Sequence, residues 1–452
     1  MRIRSQLQQY FKFQSSSSNL SKELEKTSQI LESLPDYNEL LELVLSDLQA
    51  GTVSDSGRKG MTSEQVLRCI IVRQRKGFSY RDLSESTKDS ICIREFLKIG
   101  PREVGFNFKT IQGNIKRVKE ETLDRVNESL KRYAEREGIE DGSMTRTDAT
   151  AIEADIHHPT DWSLMHDCIL VLSRIMTMLL EFYGVPIKFQ NHFKASKSKL
   201  FQINNCRNEK KKRKLIMQLI RLCEKTVLYA NRSLSLLEAD FSRIVDNPTV
   251  KFESLVAEMK RVLPLAETIV DVAHRRIVKK EAVPSSDKIF SIFEPHTDII
   301  IKGCREVIFG HKSTITTGKS GMILDVIVHE GNPADSTIVP EIIERHKKHY
   351  KKAPDAMVFD GSYQSNDNRE LLQNAGVGTI SFTKEKNIPH STTTEKCLRF
   401  FRSGIEASIS MLNRMFGWTR VMDEGWHSFV NTLKAGAIAY NLFLLARVKL
   451  KA

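Results

Sequence analysis

One stretch constrains this chain more than any other: at Met144 the helical spacing of apolar residues gives way to alternation. In TRTDATAIEADIHH, Thr147, Ala149 and Ala151 fall on one side of an extended segment and Asp148, Thr150 and Ile152 on the other. Pro159 stops the strand, and Asp161 is placed to cap a helix beginning at Trp162. From Trp162 to about Val283 the spacing is helical again, and strand chemistry resumes only near Lys288. A lone strand is not stable, so its partners lie beyond the helical block, which therefore reads as an insertion.

After the insertion the sequence predicts a strand in IFSIFEP, then a hairpin of EVIFGHKSTIT and MILDVIVHEG around the turn TGKSG. GNPADSTIVPEIIERHKKHY reads as a helix with Asn332 as N-cap and Pro333 in its first turn. AMVFDG is a buried strand ending in Asp360, NDNRELLQNAG a helix closed by Gly376, and VGTISF another strand. Two helices, roughly Thr394 to Arg414 and Trp426 to Val448, end the chain. Alternating strands and helices of this kind predict an α/β domain with a mixed sheet. No internal repeat is present.

The segment before the strand is helical from about Leu20 to Glu137, broken by turn signals at Gly51 to Gly60, at Gly77 and at Gly100-Pro101. Thr62 and Gln65 form a capping-box pattern ahead of Val66, Ile70 and Ile71. Two short helices follow in RKGFSYRDLSEST and DSICIREFLKIG. Basic residues at Arg73, Arg75, Lys76, Arg81, Arg94 and Lys98 suit a helix-turn-helix that sets one helix in a DNA groove, or equally a bundle with solvated charges.

The expected divisions are a polar leader (1–19), a helical region that suits DNA binding (20–140), a mixed α/β domain (141–161 with 285–452) and the helical insertion (162–284). Across its 452 residues the chain carries 69 Lys and Arg against 56 Asp and Glu, a net charge of +13. A polyanion, most often nucleic acid, is the natural counterpart, although a basic enzyme of another kind has the same balance. Between Arg207 and Lys225 eight basic residues face two Glu, and KKKRK at Lys210 to Lys214 could contact phosphates or be a solvated helix face.

Seven scattered cysteines, none in a Cys-x-x-Cys pair, imply neither a disulfide framework nor a zinc ribbon. The first residues lack an apolar signal region, and Leu164 to Tyr183 carries His166, Asp167, Arg174 and Glu181, so it reads as a buried helix of a cytoplasmic protein.

The candidate chemistry lies in carboxylates at strand ends. Asp148 is the acidic residue of a small-residue stretch, and Asp360 ends an apolar strand at the side where open α/β sheets bind ligands. Glu406 lies on a helix whose core stripe is Ile405, Ile409, Leu412 and Phe416, with Arg402, Ser410 and Asn413 on the neighbouring polar stripe. Three converging carboxylates would need a cation, and hard divalent ions take oxygen ligands. Each residue also has a structural reading: a strand-end acceptor, a turn former, and half of an i,i+4 pair with Arg402.

TDATAIEADIHHPTD, FGHKSTIT, GNPADS, VFDGSYQSNDN, RFFRSGIEASISMLNR and AGAIAYNLFLLAR, in this order, resemble the DDE transposases of bacterial insertion sequences, in the branch related to the IS-five and IS-four types. The resemblance spans about Gly60 to Arg447. It implies an RNase H-like catalytic core in which Asp148, Asp360 and Glu406 bind two Mg²⁺ ions, Mn²⁺ being a possible substitute. It further implies cleavage at the element's ends and joining to target DNA, with water and then a DNA 3′-hydroxyl as nucleophile. Double-stranded DNA, as terminal inverted repeats and target, would be the partner, a homodimer would join two ends, and the protein would sit with the bacterial nucleoid. A metal-dependent DNA nuclease on the same core and a non-catalytic DNA-binding descendant are the alternatives.

The family's third motif has Tyr, Arg, Glu and Lys at set intervals. Here Arg402 and Glu406 match, while Arg399 stands at the Tyr position and Asn413, next to Arg414, at the Lys position. Arg402 would meet phosphate or orient the carboxylate. His311-Lys312 in the hairpin resembles a family motif, and DNA contact and core or rim packing are its two readings. His157 and His158 point to opposite sides of a strand and make a poor metal pair, and Trp162, Trp418 and Trp426 read as packing anchors rather than base wedges.

Overall fold

The computed structural model describes residues 4, 18–50, 60–244, 249–302, 306–383 and 391–451; most of the polar leader, the Gly51-to-Gly60 turn apart from Gly60, and Cys304 lie outside them. In chain order the helices are α1 (Asn19–Glu32), α2 (Tyr37–Gln49), α3 (Ser63–Lys76), α4 (Tyr80–Asp89), α5 (Ile91–Phe96), α6 (Phe108–Ile115) and α7 (Glu120–Arg136). Strand β1 (Met144–Ala154) follows, then α8 (Asp161–Tyr183), α9 (Phe193–Asn204), α10 (Glu209–Ile244) and α11 (Val250–Ala273). The remainder is β2 (Asp298–Lys302), β3 (Glu306–Gly318), β4 (Ile323–Val328), α12 (Val339–Tyr350), β5 (Ala356–Phe359), α13 (Asn366–Asn374), β6 (Thr379–Phe382), α14 (Thr392–Met415), β7 (Arg420–Val421) and α15 (Trp426–Lys451).

The chain divides into two units, one of residues 1–154 with 310–452 and one of residues 155–309. In the first, β1 is the centre of a mixed sheet. It runs antiparallel to β3, with Asp148 opposite Ile315, and parallel to β5, with Thr147 opposite Phe359. Beyond these, β4 pairs antiparallel with β3, β6 parallel with β5, and β7 parallel with the end of β1. Gly310 allows the β1–β3 approach, since a Cβ there would lie 1.8 Å from the Ile152 carbonyl oxygen.

The N-terminal helices and α15 share one apolar core in which Leu24, Leu31, Leu67, Leu130, Ile438 and Leu445 are buried. Each such aliphatic side chain contributes about 1.5–3 kcal/mol on burial. Helix α3 starts with the full capping box of Thr62 and Gln65. In the second unit α8, α10 and α11 pack around Cys168, Leu172, Ile220, Cys223, Met259 and Val262. Helices α8 and α15 are long and apolar enough to cross a membrane by length and composition, and both bury much of that apolar surface inside their own unit.

Three local expectations are corrected. IFSIFEP is irregular, and the strand of that region is β2, which begins at Asp298. Thr160, not Asp161, caps α8: its hydroxyl accepts from the Ser163 N–H, while Asp161 is helical and pairs with Arg276 at 2.6 Å. Helix α12 begins at Val339 with Pro340 in its first turn, because Asp335–Thr337 forms a separate 3₁₀ turn.

Candidate active site

Strand pairing brings the first two carboxylates together. Thr147 stands opposite Phe359 in the parallel β1–β5 pair, so Asp148, which lies within β1 and not at its end as the sequence suggested, comes next to Asp360, the residue just past the end of β5. Helix α14 supplies the third group, crossing β1 at Gly404. A Cβ on Gly404 would come within 2.1 Å of Arg146 Nη1 on β1, so any larger residue there would displace the Arg146 guanidinium. The Arg146 guanidinium, stacked on Phe401 at 4.7 Å, donates to the Phe401 carbonyl at 2.6 Å and fixes the helix to the strand.

Arg402, one turn before Glu406, stands among the three acids. Its Nη1 lies 3.4 Å from Asp148 Oδ2, and its Nη2 3.3 Å from Glu406 Oε1 and 3.8 Å from Asp360 Oδ1. Asp148 also accepts the Ala149 N–H at 2.8 Å, and Asp360 accepts the Thr383 hydroxyl at 2.9 Å. Burial raises the Asp148 pKa, the charges of Asp360 and Asp335 add to the rise, and the Ala149 N–H and Arg402 oppose it. One guanidinium facing three carboxylates leaves the cluster two charges short of neutrality.

That deficit and the all-oxygen donor set suit hard divalent ions. Among the described residues no three acidic, histidine or cysteine side chains are already drawn together as an ion cage. The place a cation would take is shared by the Arg402 guanidinium.

Two neighbours were not singled out from the sequence. Asp335, in the GNPADS stretch, pairs with Lys312 at 2.5 Å and contributes to the field at Asp148. Thr383 follows β6 and carried no sequence signal. Lys312 is buried and also donates to the Pro333 carbonyl at 2.7 Å, and His311 is buried edge-on against Trp426 and Phe429. Arg399 pairs with Glu395 at 3.0 Å, and Arg414 donates to the Ser410 carbonyl at 3.3 Å.

The basic N-terminal residues divide into committed and open ones. Arg73 pairs with Asp423 at 2.8 Å and lies over Tyr80; Arg75 pairs with Glu23. Arg94 donates to the carbonyls of Thr87, Gly100 and Glu103, and Lys98 pairs with Glu64 at 2.6 Å. These four have partners within the protein, whereas Lys76 and Arg81 are exposed beside Phe78 and Phe108. In the other unit His157 pairs with Asp167 at 3.4 Å and His158 packs on Phe309. Trp418 is fully buried, and Trp162 donates to Asn204 with Lys212 over its ring.

No curated protein and no solved structure matches the chain. Residues 300–442 match the family model of the transposase DDE domain, a span that holds Asp360, Arg402 and Glu406, with Asp148 upstream. Over that span the chain is similar to DDE transposases, a likeness that supports transposase-type activity on DNA.

Proposed function

We propose that the protein is an insertion-sequence transposase of the branch related to the IS-five and IS-four types. On this reading it cleaves DNA at the terminal inverted repeats of its own element and joins the ends to target DNA. The observation that carries it is the convergence of Asp148, Asp360 and Glu406, from two strands and a helix, on Arg402. The reading gives residues 141–161 and 285–452 an RNase H-like role, residues 20–140 a DNA-binding role and residues 162–284 that of an insertion. It also expects a homodimer on two DNA ends, in the cytoplasm at the nucleoid.

Asp148, Asp360 and Glu406 would hold Mg²⁺ or Mn²⁺, two ions in all, and such ions lower the pKa of an attacking oxygen and stabilise the leaving one. The protein's own groups prepare that chemistry. Asp148 and Asp360 are aimed by strand register, Thr383 holds the Asp360 carboxylate by a hydrogen bond, and Gly404 with Arg146 seats the helix that carries Glu406. Arg402 partly offsets the acids until a phosphate arrives, and its planar fork can then turn to the phosphate oxygens. Lys76 and Arg81, exposed on the helical region, and Lys210, Lys211, Arg213 and Lys214, exposed on α10, would meet the DNA backbone.

The test is cleavage of labelled DNA bearing the element's own terminal repeat, wild type against Asp360→Ala, with Mg²⁺ and with chelator. Metal-dependent nicking at the element boundary, lost in the variant, is expected. Metal-dependent nicking without boundary preference or joining would point to a nuclease, and binding with no nicking to a non-catalytic descendant.

A further inference from the structure

A cavity of about 240 Å³ lies between α7, β4 and α12. Thr316 is in its wall, and the Thr316 hydroxyl meets that of Thr147 at 2.9 Å. Side chains alternate along a strand, so Asp148 projects from the other face of the sheet and this cavity is separate from the carboxylate cluster.

The walls are rich in charge, and nearly all of it is already matched. Both Asp325 oxygens accept from Arg345, at 2.5 and 2.7 Å. Asp124 binds Lys434 at 2.6 Å, Glu128 binds Arg125 at 2.7 Å, and Glu121 is exposed at the rim. Among the cations, Lys348 is exposed at the rim, and the buried exception is Lys131. Lys131 is 8 % exposed, yet among the described residues its ammonium has no hydrogen-bond or ion-pair partner. Asp325 and Glu128 attract it only from beyond pairing distance, and burial lowers its pKa.

Beside it, His346 Nε2 and the Tyr350 hydroxyl are buried without partners, their rings stacked at 4.7 Å. Burial and the nearby cationic charge push the pKa of His346 down to about 4 and of His349 to about 3, so both rings are neutral and can donate one N–H each. A buried ammonium and buried hydrogen-bonding groups each cost free energy until they are satisfied. Neither the His346 Nε2 nor the Tyr350 hydroxyl has surface open to the cavity, so an acceptor-rich anion beside the Lys131 ammonium would satisfy all three once the two rings turn toward it.

We propose that this cavity binds a small phosphate- or carboxylate-bearing anion, held by the Lys131 ammonium with the Tyr350 hydroxyl and a His346 ring N–H. The site is independent of the transposase reading.

The experiment is calorimetric titration of the full-length protein with inorganic phosphate and, separately, with citrate, at ionic strength fixed with KCl. Saturable binding of one anion per chain is expected, and which probe binds tells phosphate from carboxylate. Lys131→Met should weaken it at least tenfold while leaving the protein folded, because removal of an unpaired buried charge favours the native state. His346→Gln, a milder change, should weaken it several-fold and serves if Lys131→Met does not fold. Absence of saturable binding to both probes, or binding undiminished in the folded variants, would overturn the proposal.

Discussion

Two arginines of the same unit sit among acidic groups, and the contrast between them separates architecture from chemistry. Arg68 on α3 is wholly buried and satisfied on every side: by Glu64 at 3.2 Å, Glu32 at 2.8 Å, Ser28 at 2.7 Å and the Phe96 carbonyl at 3.0 Å. Lys98 joins the same two carboxylates, so two cations meet two anions. Arg402 instead faces three carboxylates across 3.3–3.8 Å, with Glu406 64 % exposed, and leaves the excess negative. A balanced network with short bonds closes on itself; an unbalanced one with long bonds is open to a further cation.

The contrast can be broken by mutation. Arg68→Met leaves the buried Glu64 carboxylate with Lys98 as its only cation and the Phe96 carbonyl without its donor, and should cost about 3 kcal/mol in chemical denaturation. Arg402→Met, at a solvated site, should cost about 1 kcal/mol or less while DNA cleavage falls at least a hundredfold. Equal losses of stability would erase the distinction.

Gly404→Ala ranks next. Its methyl would press on Arg146, so a loss of about 1–3 kcal/mol is expected, with cleavage falling further than stability because Arg402 and Glu406 move together. Thr383→Val removes one hydrogen bond to Asp360 and should cost about 1 kcal/mol, with cleavage several-fold slower.

Asp148→Asn sharpens the comparison from the other side. Because burial raises the folded pKa of Asp148, its ionised form is disfavoured in the native state. The stability this group contributes is complete below the unfolded value of about 3.9 and is lost as pH rises through the folded one. At neutral pH the variant should therefore melt at the same temperature or higher, while losing cleavage. A clear drop in melting temperature would mean that Asp148 is structural.

The interrupted strand, the hairpin and the capping box at Thr62 were legible because each depends on neighbours in sequence. The strand-end position of Asp360 was legible, whereas Asp148 lies within β1 and its adjacency to Asp360 is a matter of sheet register. Partners distant in the chain were not. A basic helix face looks the same whether its arginines meet DNA or protein, and Arg73 is taken by Asp423 and Arg75 by Glu23 only once the helices pack. Asn332 looked like an N-cap because Pro333 follows it, but the turn at Asp335–Thr337 delays the helix and leaves Asp335 free to pair with Lys312. Thr383 shows its role only when β6 lies beside β5.

The most direct measurement is a titration of the full-length protein with Mn²⁺, followed by the loss of the free-ion paramagnetic signal, wild type beside Asp360→Asn. Up to two ions bound per wild-type chain, released by excess Mg²⁺ and at least tenfold weaker in the variant, is the expected result. Equal Mn²⁺ binding by both proteins, or none by either, would contradict the claim that the unbalanced carboxylates around Arg402 form the metal site.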